Sequence, residues 1–157
     1  MNIISIDPGK TGAIACLTTE CELVSLIDMP LIQLNNQTYI NVVKIIEFIN
    51  DNKVKSVIIE KVGSQATDSK QSIFTFGKNT GAMQSAVACA VTDIKYILPQ
   101  KWKSATGFIK KDKKAPAKKC CEIYGAELFT GPRGGLLDGR GDAVMIGIAA
   151  IKLGMFK

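Results

Sequence analysis

The order of short apolar runs constrains this chain more than any other feature. Met1 to Ile6 is apolar and stops abruptly at Asp7-Pro8-Gly9, a turn signal. Gly12 to Leu17 and Leu23 to Ile27 follow, separated by the polar Thr18-Thr19-Glu20, so three short strands with tight turns make an antiparallel meander. Helical spacing then takes over from Tyr39 to Ile49, with Val42, Ile45, Ile46 and Ile49 recurring on one face. Lys55 to Glu60 reads as a buried, β-branched strand ending in an acid. Ser72 to Val91 reads as a long helix lined by Ala82, Ala86 and Ala90, and Ile94 to Leu98 as a strand stopped by Pro99. A short helix around Trp102, one from about Ala117 to Tyr124 and a last from about Asp138 to Leu153 complete the chain. This order predicts one α/β domain over residues 1–157. Its core is a mixed five-stranded sheet flanked by helices, with strands one, four and five parallel and central.

Histidine is absent. Its absence removes Ser-His-Asp and Cys-His triads, histidine general bases and histidine-rich zinc sites. The five cysteines, Cys16, Cys21, Cys89, Cys120 and Cys121, are odd in number and irregularly spaced, unlike a disulfide framework or a zinc site. Reduced, buried thiols are expected instead. No apolar run approaches the roughly 18 to 20 residues that span a bilayer. The start of the chain also lacks the pattern of an export signal, so a cytoplasmic protein with no membrane partner is expected. Hydrolytic chemistry in such a chain must run on carboxylates.

Four acids stand where such chemistry needs them. Asp7 closes the first strand and Glu60 the fourth; side by side and parallel, these strands project both from one carboxyl edge of the sheet, where sites in open α/β sheets gather. Asp138 and Asp142 are one helical turn apart on one face of the last helix. From Ala143 to Ile151 that helix is apolar all round, the pattern of a helix buried against a sheet. Converging acids are costly unless cations neutralise them, and an all-oxygen set suits Mg²⁺, with Mn²⁺ as a substitute. Two such ions roughly 3.5 to 4 Å apart activate water and stabilise the leaving oxygen of a phosphodiester. Each acid also has a plainer reading. Asp7 suits a turn before Pro-Gly, and Glu60 can pair with Lys61 or Lys10. Asp138 suits an N-cap, and Asp142 suits the first turn of a helix.

The formal net charge is +6, and its distribution says more than the total. Lys101, Lys103, Lys110, Lys111, Lys113, Lys114, Lys118 and Lys119 crowd one stretch that holds a single acid, Asp112. Such density suggests an anionic partner, usually nucleic acid, although a solvated loop has the same composition.

The segments IISIDPGKTGAIA, SVIIEKV, LPQKWKSATG and DGRGDAVMIGIA, in that order, resemble the RuvC-type Holliday-junction resolvases of the RNase H-like superfamily, especially their short phage-encoded forms. The resemblance runs from Met1 to about Ile151. It implies a homodimer in which each subunit nicks one of two opposed strands of a four-way junction. In-line attack by activated water would leave a 5′-phosphate and a 3′-hydroxyl. Asp7, Glu60, Asp138 and Asp142 match the family's metal-binding acids, and Asp142 the most critical acid of the last helix. The lysine-rich stretch after Trp102 matches the segment that contacts DNA, with Lys118 or Lys119 close to the scissile phosphate. Phe74, Phe76, Lys78 and Asn79 fall where relatives carry a wedge that opens the junction, and an aromatic ring there can stack on an unpaired base. Lys10, Lys61, Lys101, Lys103, Lys110, Lys111, Lys113 and Lys114 are further candidates for phosphate contacts. Arg140 either touches a phosphate or balances charge, and Trp102 is expected to anchor the basic helix.

Three rival readings have sequence support. DPGKTG suggests an actin-like or sugar-kinase-like domain, but the chain is short for the two domains that enclose a nucleotide. Ile4 also stands where a P-loop needs glycine, so no nucleotide cofactor is expected. The basic stretch alone would suffice for a non-catalytic DNA-binding protein, yet aligned acids without a metal would repel phosphate. A debranching nuclease for forks and flaps, or a nuclease for RNA–DNA hybrids, keeps the chemistry and changes the substrate.

Overall fold

A computed structural model describes residues 1–63 and 69–156. β1 (Asn2–Asp7), β2 (Ala13–Thr18) and β3 (Leu23–Asp28) form the antiparallel meander. β4 (Leu31–Leu34) and β5 (Gln37–Ile40) form a separate hairpin, and α1 (Val42–Asp51) follows. β6 (Ser56–Glu60), α2 (Lys70–Ala90), β7 (Asp93–Ile97), α3 (Pro99–Thr106), α4 (Ala115–Tyr124) and α5 (Asp138–Lys152) complete the order. The five-stranded sheet runs β3-β2-β1-β6-β7, with β6 parallel to both β1 and β7. This is the expected RNase H-like mixed sheet. β7 is at its edge, however, so the three parallel strands are not all central.

The two-residue period of the strands divides the core into two layers. In β1 and β6, Ile4, Ile6, Val57 and Ile59 point to one face, where they meet Ile45 and Ile49 of α1 and Met83, Ala86 and Val87 of α2. Ile3 and Ile58 point to the other, packing with Trp102 of α3, Cys120 of α4 and the run Ala143–Ala150 of α5. Asp7 and Glu60 share the parity of Ile3 and Ile58, and Ile6 pairs with Ile59 one step before them. Pleat and register thus bring both acids to the α5 face at the carboxyl edge.

The hairpin β4–β5 is not foreseen from the periodicity. Its turn is Asn35-Asn36, both at positive φ, the geometry that asparagine tolerates in two-residue hairpins. Tyr39, expected in the first helix, belongs to this hairpin; the helix starts only after Asn41, whose side chain accepts from the Lys44 N–H at 3.2 Å. All five cysteines are free, but only Cys16 and Cys120 are buried, and Cys89 is exposed. No helix among the described residues is long and apolar enough to cross a membrane.

Candidate metal centre and DNA-facing surface

Close packing fixes where the last helix sits. A methyl group at Gly139 would lie 2.2 Å from the Thr11 carbonyl oxygen, and one at Gly141 would lie 2.4 Å from the Ala117 nitrogen. Glycine at these positions lets α5 press against the β1–β2 turn and against α4 at a distance that any side chain would forbid. Ser5, buried in β1 between Ile4 and Ile6, donates to the Ala143 carbonyl at 2.7 Å. This bond ties strand to helix beside Asp7 and Asp142. Asp138 is the first residue of α5, not its N-cap, which is Leu137.

The acids are partly buried, and they act on one another's charge. Burial pushes Asp7 up to about 8, and the charges of Asp142 and Glu60 push the same way. Asp142 rises to about 6 through burial, with Glu60 and Asp138 adding to it. Lys113 and Lys103 oppose both shifts. Lys113 approaches Asp138 Oδ2 at 3.7 Å, while Asp138 Oδ1 is buried with no hydrogen-bond partner among the described residues. An open cleft of about 550 Å³ is lined by Asp7, Lys10, Lys113, Asp138, Arg140 and Asp142 among others. Among the described residues, no three carboxylates are already drawn in far enough to close on one ion. The donor set still fits a hard cation: it is all oxygen, it holds an unpartnered buried carboxylate atom, and it strains against its own negative charge.

Glu60 does not pair with Lys61 or Lys10. Its Oε1 accepts a hydrogen bond from the indole N–H of Trp102 at 2.7 Å, and Trp102 is fully buried. Two features went unread in the sequence. Ser5 is the one polar residue in the run Ile3–Ile6, and a buried indole N–H needs a partner.

The other candidates divide into two groups. Lys10, Lys61, Lys101, Lys110, Lys111, Lys113 and Lys114 are exposed, and Lys103 is half-buried with its ammonium 5.3 Å from the Trp102 ring centre. Lys118 approaches Asp112 at 3.4 Å and Lys119 pairs with Glu122 at 2.8 Å, so the lysines that act on the acids here are Lys113 and Lys103. Arg140 spends its guanidinium on both oxygens of Asp28, at 2.6 and 2.9 Å, and on the Leu128 carbonyl. Phe74 is 67% exposed, whereas Phe76 is half-buried. Lys78 lies over the Tyr39 ring at 4.4 Å. Asn79 is buried and lines a small groove with Gly9, Lys10, Ser72, Thr75 and Phe76.

No family model matches the chain, and no curated protein matches it in sequence. Solved structures do match. The RuvC of Thermus thermophilus in complex with a Holliday junction substrate superposes with a TM-score of 0.64 at 17% identity, over 99% of this chain and 96% of that one. A second structure of Thermus thermophilus RuvC gives 0.63 at 16% identity, over 98% and 97%. At this identity the likeness is one of fold, and the chain has a RuvC-type fold along nearly its whole length.

Proposed function

We propose that this protein is a metal-dependent endonuclease for branched DNA, with the four-way junction as its main substrate. The carrying observation is the convergence of Asp7, Glu60 and Asp142 in a RuvC-type fold, with Asp7 held up to about 8 by burial and acidic neighbours. A carboxylate in that state gains much from a cation, because the cation offsets both the burial and the neighbouring charges that keep it protonated. Asp7, Glu60, Asp138 and Asp142 would hold Mg²⁺ or Mn²⁺, with two ions per site. When bound, the ions supply Lewis acidity at a phosphodiester, favouring in-line attack by water and departure of the 3′-oxygen.

The chain's own side chains do the remaining work. Asp7, protonated near neutral pH, would have to lose its proton to hold a cation, whereas Asp142, at about 6, is mostly ionised there already. Lys113 and Lys103 offset negative charge where the scissile phosphate must approach an acidic cleft. Lys10, Lys61, Lys101, Lys110, Lys111 and Lys114 contact phosphates and give affinity that falls steeply with salt, without reading bases. Lys118 and Lys119 reach a phosphate only by leaving Asp112 and Glu122. Phe74 offers a face for an unpaired base. The products carry a 5′-phosphate and a 3′-hydroxyl. Two subunits act as a homodimer, since a two-fold junction needs two symmetric cuts.

The test is cleavage of a labelled mobile four-way junction beside linear duplex, fork and RNA–DNA hybrid controls. It compares native protein with Asp7→Asn in Mg²⁺, Mn²⁺ or EDTA. Paired symmetric nicks on the junction are expected, lost in EDTA and reduced by about 10²- to 10³-fold in the variant, as when a charge-stabilising group is removed from an active site. Junction binding without cleavage in either metal would leave a binding protein, and preferential cutting of forks a debranching nuclease.

A further inference from the structure

We infer that Trp102 is a positioning residue for cation binding: its indole N–H fixes the Glu60 carboxylate and couples that ligand to the lysine-bearing helix α3. The inference rests on the metal-centre reading above and deepens it. Trp102 Nε1 donates to Glu60 Oε1 at 2.7 Å, and the tryptophan is fully buried, so its indole N–H has no water to turn to and depends on the half-buried carboxylate. Glu60 ends an edge-proximal parallel strand, where its flexible side chain would otherwise sample several rotamers. A neutral donor suits this task. It holds one oxygen while leaving the carboxylate's charge intact, whereas a lysine there would compete with the incoming cation. The second oxygen, and the remaining lone pair of the first, stay free to coordinate.

The same residue joins Glu60 to the DNA-facing surface. Lys103 is next in the chain, and its ammonium sits 5.3 Å from the Trp102 ring centre. Pro99 opens α3 and Gly107 closes it at positive φ, so the helix is a short, defined block and not a fraying loop. A shift of α3 when phosphates meet its lysines would therefore move the donor that orients Glu60.

The test measures Mn²⁺ affinity without DNA, by calorimetry and by the electron-spin signal of free Mn²⁺, for native protein, Trp102→Phe, Glu60→Gln and the double variant. Phenylalanine keeps most of the apolar packing and removes the donor. Outer partners of metal ligands are commonly worth 10- to 100-fold in affinity, so a loss of about tenfold is expected in Trp102→Phe. Little further loss is expected when the same change is made in the Glu60→Gln background. Unchanged affinity in Trp102→Phe, or an equal loss in both backgrounds, overturns the inference while leaving the metal centre standing. Failure of the native protein to bind Mn²⁺, or binding unaffected by Glu60→Gln, sinks both. If Trp102→Phe does not fold, the emission of this single tryptophan decides the matter in folded protein. Its response to Mn²⁺ is expected to vanish in Glu60→Gln, and a response that persists overturns the inference.

Discussion

Helices α5 and α2 both reach the end of the sheet where the acids gather, and they are built in opposite ways. α5 is buried from Ala143 to Ala150, seated through Gly139 and Gly141, and bonded to β1 through Ser5. α2 buries Asn79, Met83, Ala86 and Val87, while its first turns leave Ile73 and Phe74 exposed. Asp138 and Asp142 are carried on a helix packed tightly against the sheet, and the first turns of α2 are exposed among the described residues. The difference also divides the strain: the packed side holds carboxylates raised by burial and by one another's charge.

That contrast can be broken most forcefully with pH. Asp7 is raised from 3.8 in the unfolded chain to about 8 in the fold, and Asp142 to about 6. For acids shifted upward, the folded state binds more protons between those values. The stability they contribute is complete at low pH and is lost as pH rises toward 8. The metal-free protein should therefore melt several degrees lower at pH 8.5 than at pH 5.5, and Asp7→Asn should flatten most of that slope. Mg²⁺ should restore the midpoint at pH 8.5 by binding only the folded protein. A variant whose profile tracks the native one would mean that the acids are not held together.

A smaller effect should follow from loosening the seat of α5. Gly141→Ala forces a methyl group to within 2.4 Å of the α4 backbone, and overpacking of this kind costs about 1 to 3 kcal/mol. Denaturant unfolding should show that loss, and cleavage should fall even where the variant remains fully folded. Full activity in a destabilised Gly141→Ala would show that the acids tolerate a displaced helix. The smallest stability effect belongs to the other helix. Phe74→Ala should leave stability within about 0.5 kcal/mol while slowing junction cleavage several-fold and sparing Mn²⁺ affinity. Melting that drops by more than a few degrees would place Phe74 in the core.

The sequence made much of this legible because period and register are local. Asp7 and Glu60 could be placed on one edge from two strand ends, and Asp138 with Asp142 from one turn of helix. What stayed hidden depends on contacts between residues far apart in the chain. The partnership of Trp102 with Glu60 crosses from α3 to β6, and that of Arg140 with Asp28 crosses from α5 to β3. Nothing in either pair's local sequence distinguishes them from the alternatives. The hairpin β4–β5 was missed for another reason: its strands are short and largely exposed, so hydrophobic alternation barely marks them. Which lysine faces the acids was equally illegible, because eight similar side chains share one basic stretch and only its path in space sets Lys113 beside Asp138.

The Ser5–Ala143 bond also bears on how the protein comes into being. A ribosome makes α5 more than a hundred residues after β1, and domains complete themselves as their last elements emerge. A nascent chain halted between Glu60 and Asp138 carries Asp7 and Glu60 but neither the glycine seat nor the two acids of α5. Such a fragment lacks the means to gather a full set of ligands. On the proposed function, a chain that has not yet made α5 cannot cut DNA.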